Sequence, residues 1–418
     1  MDRPLSDVVV LDLTRALAGP IASRLLADLG AEVIKIEPPD GDLTRAIVPR
    51  VDGMSTYFVH YNAGKECVSL DLTQPEGRDL FLRLVEKADV VLENYRPEVM
   101  RKLGLSYDAL AARNPRIIVA SISGWGHNNS RADQGAYASA LHAEAGITEM
   151  VARRRGEQDA PRNDPMSHSD TYTGLHALAA LLAALHQRNR TGKGQAVEVS
   201  MAESTLMVND LSSAELLGED PTVGFRAGQN WSAIYKLRTG RAVNVTIDGT
   251  TDGGFGVWVK ATGREDWRRD PRFATQAERV RHRAEYEAGI GEWVANFDTA
   301  EELERAIGVS TVLAAEVRTV PELAATEWAT ERGAFVEVDL GRGNTVTVPQ
   351  SPWRFSDADS GLKPIVGFRG EHNREVLTRL LGLDDAELAH LSAEGVISSR
   401  VPDWRRDPST PVGRSPQG

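Results

Sequence analysis

One carboxylate stands where this chain could do covalent chemistry. In PMSHSDTYTG, residues 165–174, Asp170 directly precedes a long run of alanine and leucine. An aspartate at a helix start accepts the free backbone N–H groups of the first turn, so Asp170 reads as an N-cap. The same placement suits a nucleophile, because the carboxylate is held beside backbone donors and Gly174 follows closely. The local sequence favours the cap; the rest of the chain has to decide.

The other reactive side chains point less far. Cys67 is the single cysteine, so no intramolecular disulfide forms, which suits the cytoplasm. It sits in KECVSLDL, which reads as the start of a buried strand rather than as a catalytic thiol. Ser167, His168 and Asp170 are close neighbours, but a catalytic triad is assembled from separate segments, and no G-x-S-x-G elbow occurs. Nine histidines include no H-E-x-x-H and no Cys/His cluster, so no metal is expected. Arg45, Arg96, Arg101 and Lys102 read either as phosphate ligands or as solvated surface charge.

The elements that must position these residues alternate in period. VVVLDL (8–13), EVIKIE (32–37), VSLDL (68–72), DVVLEN (89–94) and RIIVASISGWG (116–126) read as strands. GPIASRLLADLG (19–30) and PEGRDLFLRLVEKA (75–88) read as helices between them. This alternation predicts an α/β fold with a doubly wound parallel sheet, whose ligands bind at the carboxyl ends of the strands. No G-x-G-x-x-G follows any strand, so no NAD is expected. The clearest helix is 171–190, with Leu175, Leu178, Leu181, Leu182 and Leu185 on one broad face. AVEVSM (196–201) follows as a strand, then one more helix to about Leu217. Residues 224–330 read as a smaller α+β lobe, and 345–400 return the chain to the first lobe, 1–217, through an extended stretch and two short helices. The Pro/Arg/Ser-rich residues 401–418 read as a disordered tail.

Composition agrees with a globular chain of more than one lobe: 418 residues, 41% hydrophobic and 26% charged. The net charge of −12 argues against a nucleic-acid partner. GLHALAALLAAL (174–185) is too short to span a membrane, and the start MDRPLSDVVVLDL carries no secretory pattern, so a cytoplasmic location is expected.

Taken in order, LDLTRALAGP, GAEVIKIEPPDGDLTR, YNAGKECVSLDLTQPEG, ADVVLENYRPEVMRKLGLSYDAL, NPRIIVASISGWG and RTGKGQAVEVSM resemble the class III CoA transferases. That family includes formyl-CoA transferase, carnitine CoA-transferase and the α-methylacyl-CoA racemases. GEHNREVL and LSAEGVI resemble its closing helices, so the likeness extends to about residue 397. The resemblance implies a large Rossmann-like lobe built from both chain ends, a small inserted lobe and an interlocked homodimer. It implies coenzyme A, as acyl-CoA, together with a carboxylic acid as substrates. It also makes Asp170 the nucleophile, carrying CoA as an aspartyl thioester; the family's Gly-Asp pair is Ser169-Asp170 here.

By position the resemblance places Leu17 and Ala18 at the adenosine-holding loop, and Leu70, Asp71, Leu72, Thr73, Asn94, Tyr95 and Arg96 along the CoA groove. Pro38 stands where formyl-CoA transferase has an arginine, and Lys102 where relatives often have one for the phosphates. Tyr137 matches an aromatic beside the thioester; the family's glycine-rich flap has no good counterpart, and GFRAGQNW, which holds Gln229, is shorter. The racemases need a His in the stretch matching QGAYA (134–138), where this chain has Ala136; His127 and His142 are out of register. A transferase is therefore expected over a racemase or a CoA-binding protein without turnover.

Overall fold

The computed structural model describes residues 2–155, 157, 159–209, 211–218 and 232–406. Six short apolar segments form one parallel sheet: β1 (Val9–Asp12), β2 (Glu32–Glu37), β3 (Glu66–Ser69), β4 (Val90–Glu93), β5 (Ile118–Ser123) and β6 (Gln195–Ser200). Their order is β3-β2-β1-β4-β5-β6, every pair parallel. This is the doubly wound order, in which the chain reverses direction across the sheet between β1 and β4 and opens a crevice at their carboxyl ends.

The central strands are apolar almost throughout because both faces are covered. Leu11, Ile34, Val68, Val91 and Val119 face one core, shared with helix α2 (Pro75–Val85) and the C-terminal helices Asn373–Leu381 and Asp385–Ala393. Val10, Val33, Val90, Ile118 and Ala120 face the other, shared with α1 (Ala18–Asp28) and α3 (His168–Thr191). The C-terminal helices thus complete a sheet whose strands all come from the first half of the chain.

The chain divides into two compact units, Met1–Asp210 with Glu327–Gly418, and Leu211–Thr326. The second holds a three-stranded antiparallel sheet, with Ala242–Thr246 between Ser232–Lys236 and Ala314–Glu316, over a core of Trp258, Tyr286, Ile290 and Leu303. In the first, the extended stretch at 345–356 is half of an antiparallel hairpin, Phe335–Gly341 against Asn344–Pro349, which packs on Phe58, Val59 and Cys67. Cys67 is fully buried in β3, and burial pushes its thiol up to about 11, which leaves it inert at neutral pH.

Several expectations are corrected. The long helix starts at His168, so Asp170 is its third residue, and Ser167 is the cap position. The leucine face is narrower than expected: Leu178, Leu181 and Leu185 are buried, whereas Leu175 and Leu182 are 45% and 36% exposed. The cause is angular, since Leu175 and Leu182 are two turns apart on one stripe beside the buried one. The single helix expected to Leu217 is two, Met201–Val208 and Ser212–Leu216. The start of the expected disordered tail is packed: Asp403–Arg406 is a helical turn, Trp404 meets Phe368 edge-on, and Arg405 pairs with Glu371 at 2.8 Å. Residues 407–418 lie outside the described residues. Among the described residues, no helix is long and apolar enough to cross a membrane.

Helix α3 comes against α1 at Gly174. A Cβ there would lie 2.1 Å from Ile21 Cγ2 and 2.6 Å from the Ala18 carbonyl oxygen. Gly174→Ala is therefore expected to force the two helices apart and cost roughly 1–3 kcal/mol. Urea unfolding should show a lower midpoint at an unchanged slope.

Candidate active site

The crevice between β1 and β4 holds a cavity of about 490 Å³. Loop residues following those strands, Arg15, Ala16 and Ala18 on one side and Asn94 to Val99 on the other, form its walls with Tyr137 and Asp170.

Buried polar contacts shape the first loop. Asp12, at the end of β1, accepts the backbone N–H of Thr14 at 2.9 Å, the Ser23 hydroxyl at 2.7 Å and the ammonium of Lys65 at 3.0 Å. Burial alone would raise its carboxyl, but Lys65 and Lys35, with the Thr14 and Ser23 hydroxyls, hold it down at about 2. Lys35 donates to the Thr14 carbonyl at 2.8 Å and pairs with Asp42 at 3.0 Å. Asn94, at the end of β4, then clamps the next residue from across the crevice. Its side chain accepts the Arg15 N–H at 2.8 Å and donates to the Arg15 carbonyl at 2.8 Å. Held at both ends, the loop carries Ala16 through a left-handed φ of 65°, a conformation that a non-glycine residue adopts only under such constraint.

That path delivers the first N–H of α1 to Asp170. The backbone N–H groups of Ala18 and Ala138, the first residues of helices Ala18–Asp28 and Ala138–Glu144, act with its own N–H to lower the Asp170 carboxyl. First-turn N–H groups have no partner inside their own helix, so they are free to meet an anion. Burial nevertheless dominates and pushes the carboxyl up to about 6 against those donors. Among the described residues, no cation contributes to that balance. Nearby, burial raises the Tyr57 and Tyr61 hydroxyls, and the Asp170 charge adds to it in both. Ser169 is fully buried on the opposite side of the helix start: its hydroxyl accepts from Thr205 at 2.8 Å, and its N–H donates to His142 Nε2 at 3.1 Å. The side chain at the position of the family's glycine is therefore tied into the protein.

Of the residues singled out from the sequence, Ala18, Asn94, Tyr95, Arg96, Tyr137 and Asp170 line this one cavity. Leu17 is buried beside it, and Pro38 lies just past the end of β2. Leu70 and Leu72 belong to the apolar core, and Asp71 accepts the N–H of the exposed Thr73 at 2.9 Å in the turn before α2. Lys102 points to solvent and pairs with Glu98 at 3.0 Å. Gln229 lies outside the described residues. Ala136 lines the cavity, whereas His127 faces a separate one beside Glu198. Sequence reasoning did not single out Arg15 or Ala138. The first was legible in the strand-end loop TRALAGP; the second contributes only a main-chain N–H, which no residue type announces.

The family model for CoA-transferase family III matches residues 5–373. The succinyl-CoA–D-citramalate CoA-transferase of Chloroflexus aurantiacus is 34% identical over 94% of this chain and 98% of its own. The formyl-CoA:oxalate CoA-transferase of Streptomyces avermitilis is 31% identical over 95% of this chain and 100% of its own. The crystal structure of a CAIB/BAIF family protein from Brucella suis superimposes with a TM-score of 0.77 at 32% identity, covering 91% of this chain and 100% of that one.

The raised carboxyl of Asp170 has a cost in stability with a definite sign. Between the ordinary aspartate value near 4 and about 6, the folded state holds a proton that the unfolded state has lost, so this group's contribution falls as pH rises through that window. Asp170→Asn removes the buried charge and is expected to raise stability at pH 7.5 by about 1–3 kcal/mol. Thermal melts should show the gain shrinking toward zero at pH 4.

Proposed function

The chain belongs to CoA-transferase family III, and on that premise we propose that it moves CoA from an acyl-CoA to a carboxylic acid, with Asp170 carrying the CoA between them. The observation that supports Asp170 is its setting: a desolvated carboxylate that lines the cavity, with the N–H groups of Ala18 and Ala138 acting on it.

The steps balance without net proton transfer. A carboxylate oxygen of Asp170 attacks the thioester carbonyl carbon, the C–S bond breaks, and CoA leaves as the thiolate. The product is a mixed anhydride between Asp170 and the acyl group. The thiolate then attacks the Asp170 carbonyl carbon and expels the first acid as its carboxylate, leaving an aspartyl-CoA thioester. The acceptor carboxylate attacks that thioester, and the same two steps run in reverse to release the new acyl-CoA and free Asp170. With its carboxyl near 6, Asp170 is mostly ionised at pH 7.5, yet more basic than an exposed aspartate and stripped of much of its water. When the thiolate attacks Asp170, negative charge gathers on the Asp170 oxygen, where the same two N–H groups are already aimed.

The cavity carries two cations, Arg15 and Arg96, opposite an otherwise acidic chain. They suit anionic substrates, both the diphosphate of CoA and small acids with a second carboxylate. The named relatives act on succinyl-CoA with citramalate and on formyl-CoA with oxalate. The proposal includes the homodimer implied by the resemblance, for which the exposed Leu175 and Leu182 of α3 supply apolar surface.

Covalent trapping tests the assignment. The protein is incubated with succinyl-CoA and formyl-CoA, quenched with hydroxylamine, and its peptides are read by mass spectrometry. Asp170 is expected as the hydroxamate, and Asp170→Ala should yield none. An unmodified Asp170 in protein that binds the acyl-CoA returns this residue to a structural role.

A further inference from the structure

A second cavity, of about 460 Å³, lies next to the first in the same unit. Leu43, 46% exposed, lines both, so they are neighbours across one side chain. The second cavity has four arginines on its walls, in an acidic chain.

Those arginines differ in what they hold. Arg45 grips Glu37 at two points, 2.7 and 2.6 Å, and reaches the Gly367 carbonyl at 3.2 Å, so it belongs to the scaffold. Arg50 donates to the Ala46 carbonyl at 2.5 Å. Arg369 and Arg400 have no carboxylate within ion-pair distance among the described residues, and Arg369 Nε is buried with no hydrogen-bond partner. The two are tied side by side, since the Arg400 N–H donates to the Arg369 carbonyl at 2.9 Å. Burial lowers the Arg369 guanidinium, Glu37 opposes this, and the adjacent Arg400 and Arg45 lower it further. Two carboxylates share the wall: Asp42 is neutralised by Lys35 at 3.0 Å, which leaves Asp40. Like charges held together with so little opposite charge form a place for an anion. Phe368 and Pro402 add apolar wall for an organic group attached to it.

We propose that Arg369 and Arg400 form a binding site for a phosphate monoester dianion, separate from Asp170 and reached across Leu43. The phosphate has two possible sources. One is the 3′-phosphate at the nucleotide end of CoA, and this alternative rests on the proposed CoA transfer. The other is a free phosphate compound that occupies the site independently of turnover.

Calorimetric titration of the full chain separates them. CoA, 3′-dephospho-CoA and inorganic phosphate are titrated into wild type, Arg369→Gln, Arg400→Gln and the control Lys193→Gln, an exposed lysine away from both cavities. Arg400 is exposed, so its variant keeps the fold should Arg369→Gln fail to. Inorganic phosphate is expected to bind wild type and to weaken about tenfold in the two site variants. If CoA is the source, its advantage over 3′-dephospho-CoA also falls about tenfold in those variants. If the source is a free phosphate compound, that advantage is unchanged and only phosphate binding weakens. Equal binding of all three ligands by wild type and both site variants, or an equal loss in Lys193→Gln, overturns the site. Failure to trap an adduct on Asp170 would leave these binding results standing, so the two proposals fail separately.

Discussion

Two lysines with no exposed surface, Lys35 and Lys65, hold the carboxyl end of β1, and the loop lining the candidate site depends on them. Each bridges an aspartate to the backbone: Lys65 joins Asp12 to the Pro20 carbonyl, and Lys35 joins Asp42 to the Thr14 carbonyl. A buried ion pair adds little net stability, but removing one partner strands a charge and costs about 3–5 kcal/mol. The pairs therefore act as a constraint. They leave the loop one low-energy path, through the left-handed Ala16 and into the first turn of α1.

From that constraint the rest of the site follows by packing. Gly19 presses against Thr14, where a Cβ would come within 2.2 Å of Cγ2, so α1 begins tight against the loop. Gly174 lets α3 reach the same point from the other side. The carboxylate of Asp170 and the N–H of Ala18 meet because two glycines remove the side chains that would keep these elements apart. The sheet supplies the rigid base on which both helices lie, with apolar strands buried on both faces.

In the proposed transfer, the balance at Asp170 is an exchange of stability for reactivity. Backbone donors alone would lower its carboxyl, as an N-cap does, yet burial raises it to about 6. Ser167, not Asp170, takes the cap position, and two of the N–H groups that lower the Asp170 carboxyl come from other helices. A carboxylate serving only its own helix would gain nothing from such desolvation. A nucleophile gains basicity and a pre-aimed set of oxyanion donors.

Much of this was legible in the residues. The alternation of short β-branched runs with helical periods located all six parallel strands within a few residues, because strands buried on both faces must be apolar. The crevice loops, the long helix and Asp170 at its start were legible for the same local reasons. The hairpin at 335–349, whose apolar face packs on Phe58, Val59 and Cys67 far back in the chain, was not, nor was the division of the helix after β6 into Met201–Val208 and Ser212–Leu216. The sequence by itself determined a doubly wound sheet and the residue types at its strand ends. Only the tertiary structure decided which backbone N–H groups act on Asp170, how far burial shifts its carboxyl, and that Arg45 is spent on Glu37 while Arg369 and Arg400 stand together without a carboxylate partner among the described residues. The reason is physical: periodicity records which face of an element is buried, whereas desolvation and charge pairing depend on what other segments bring to it.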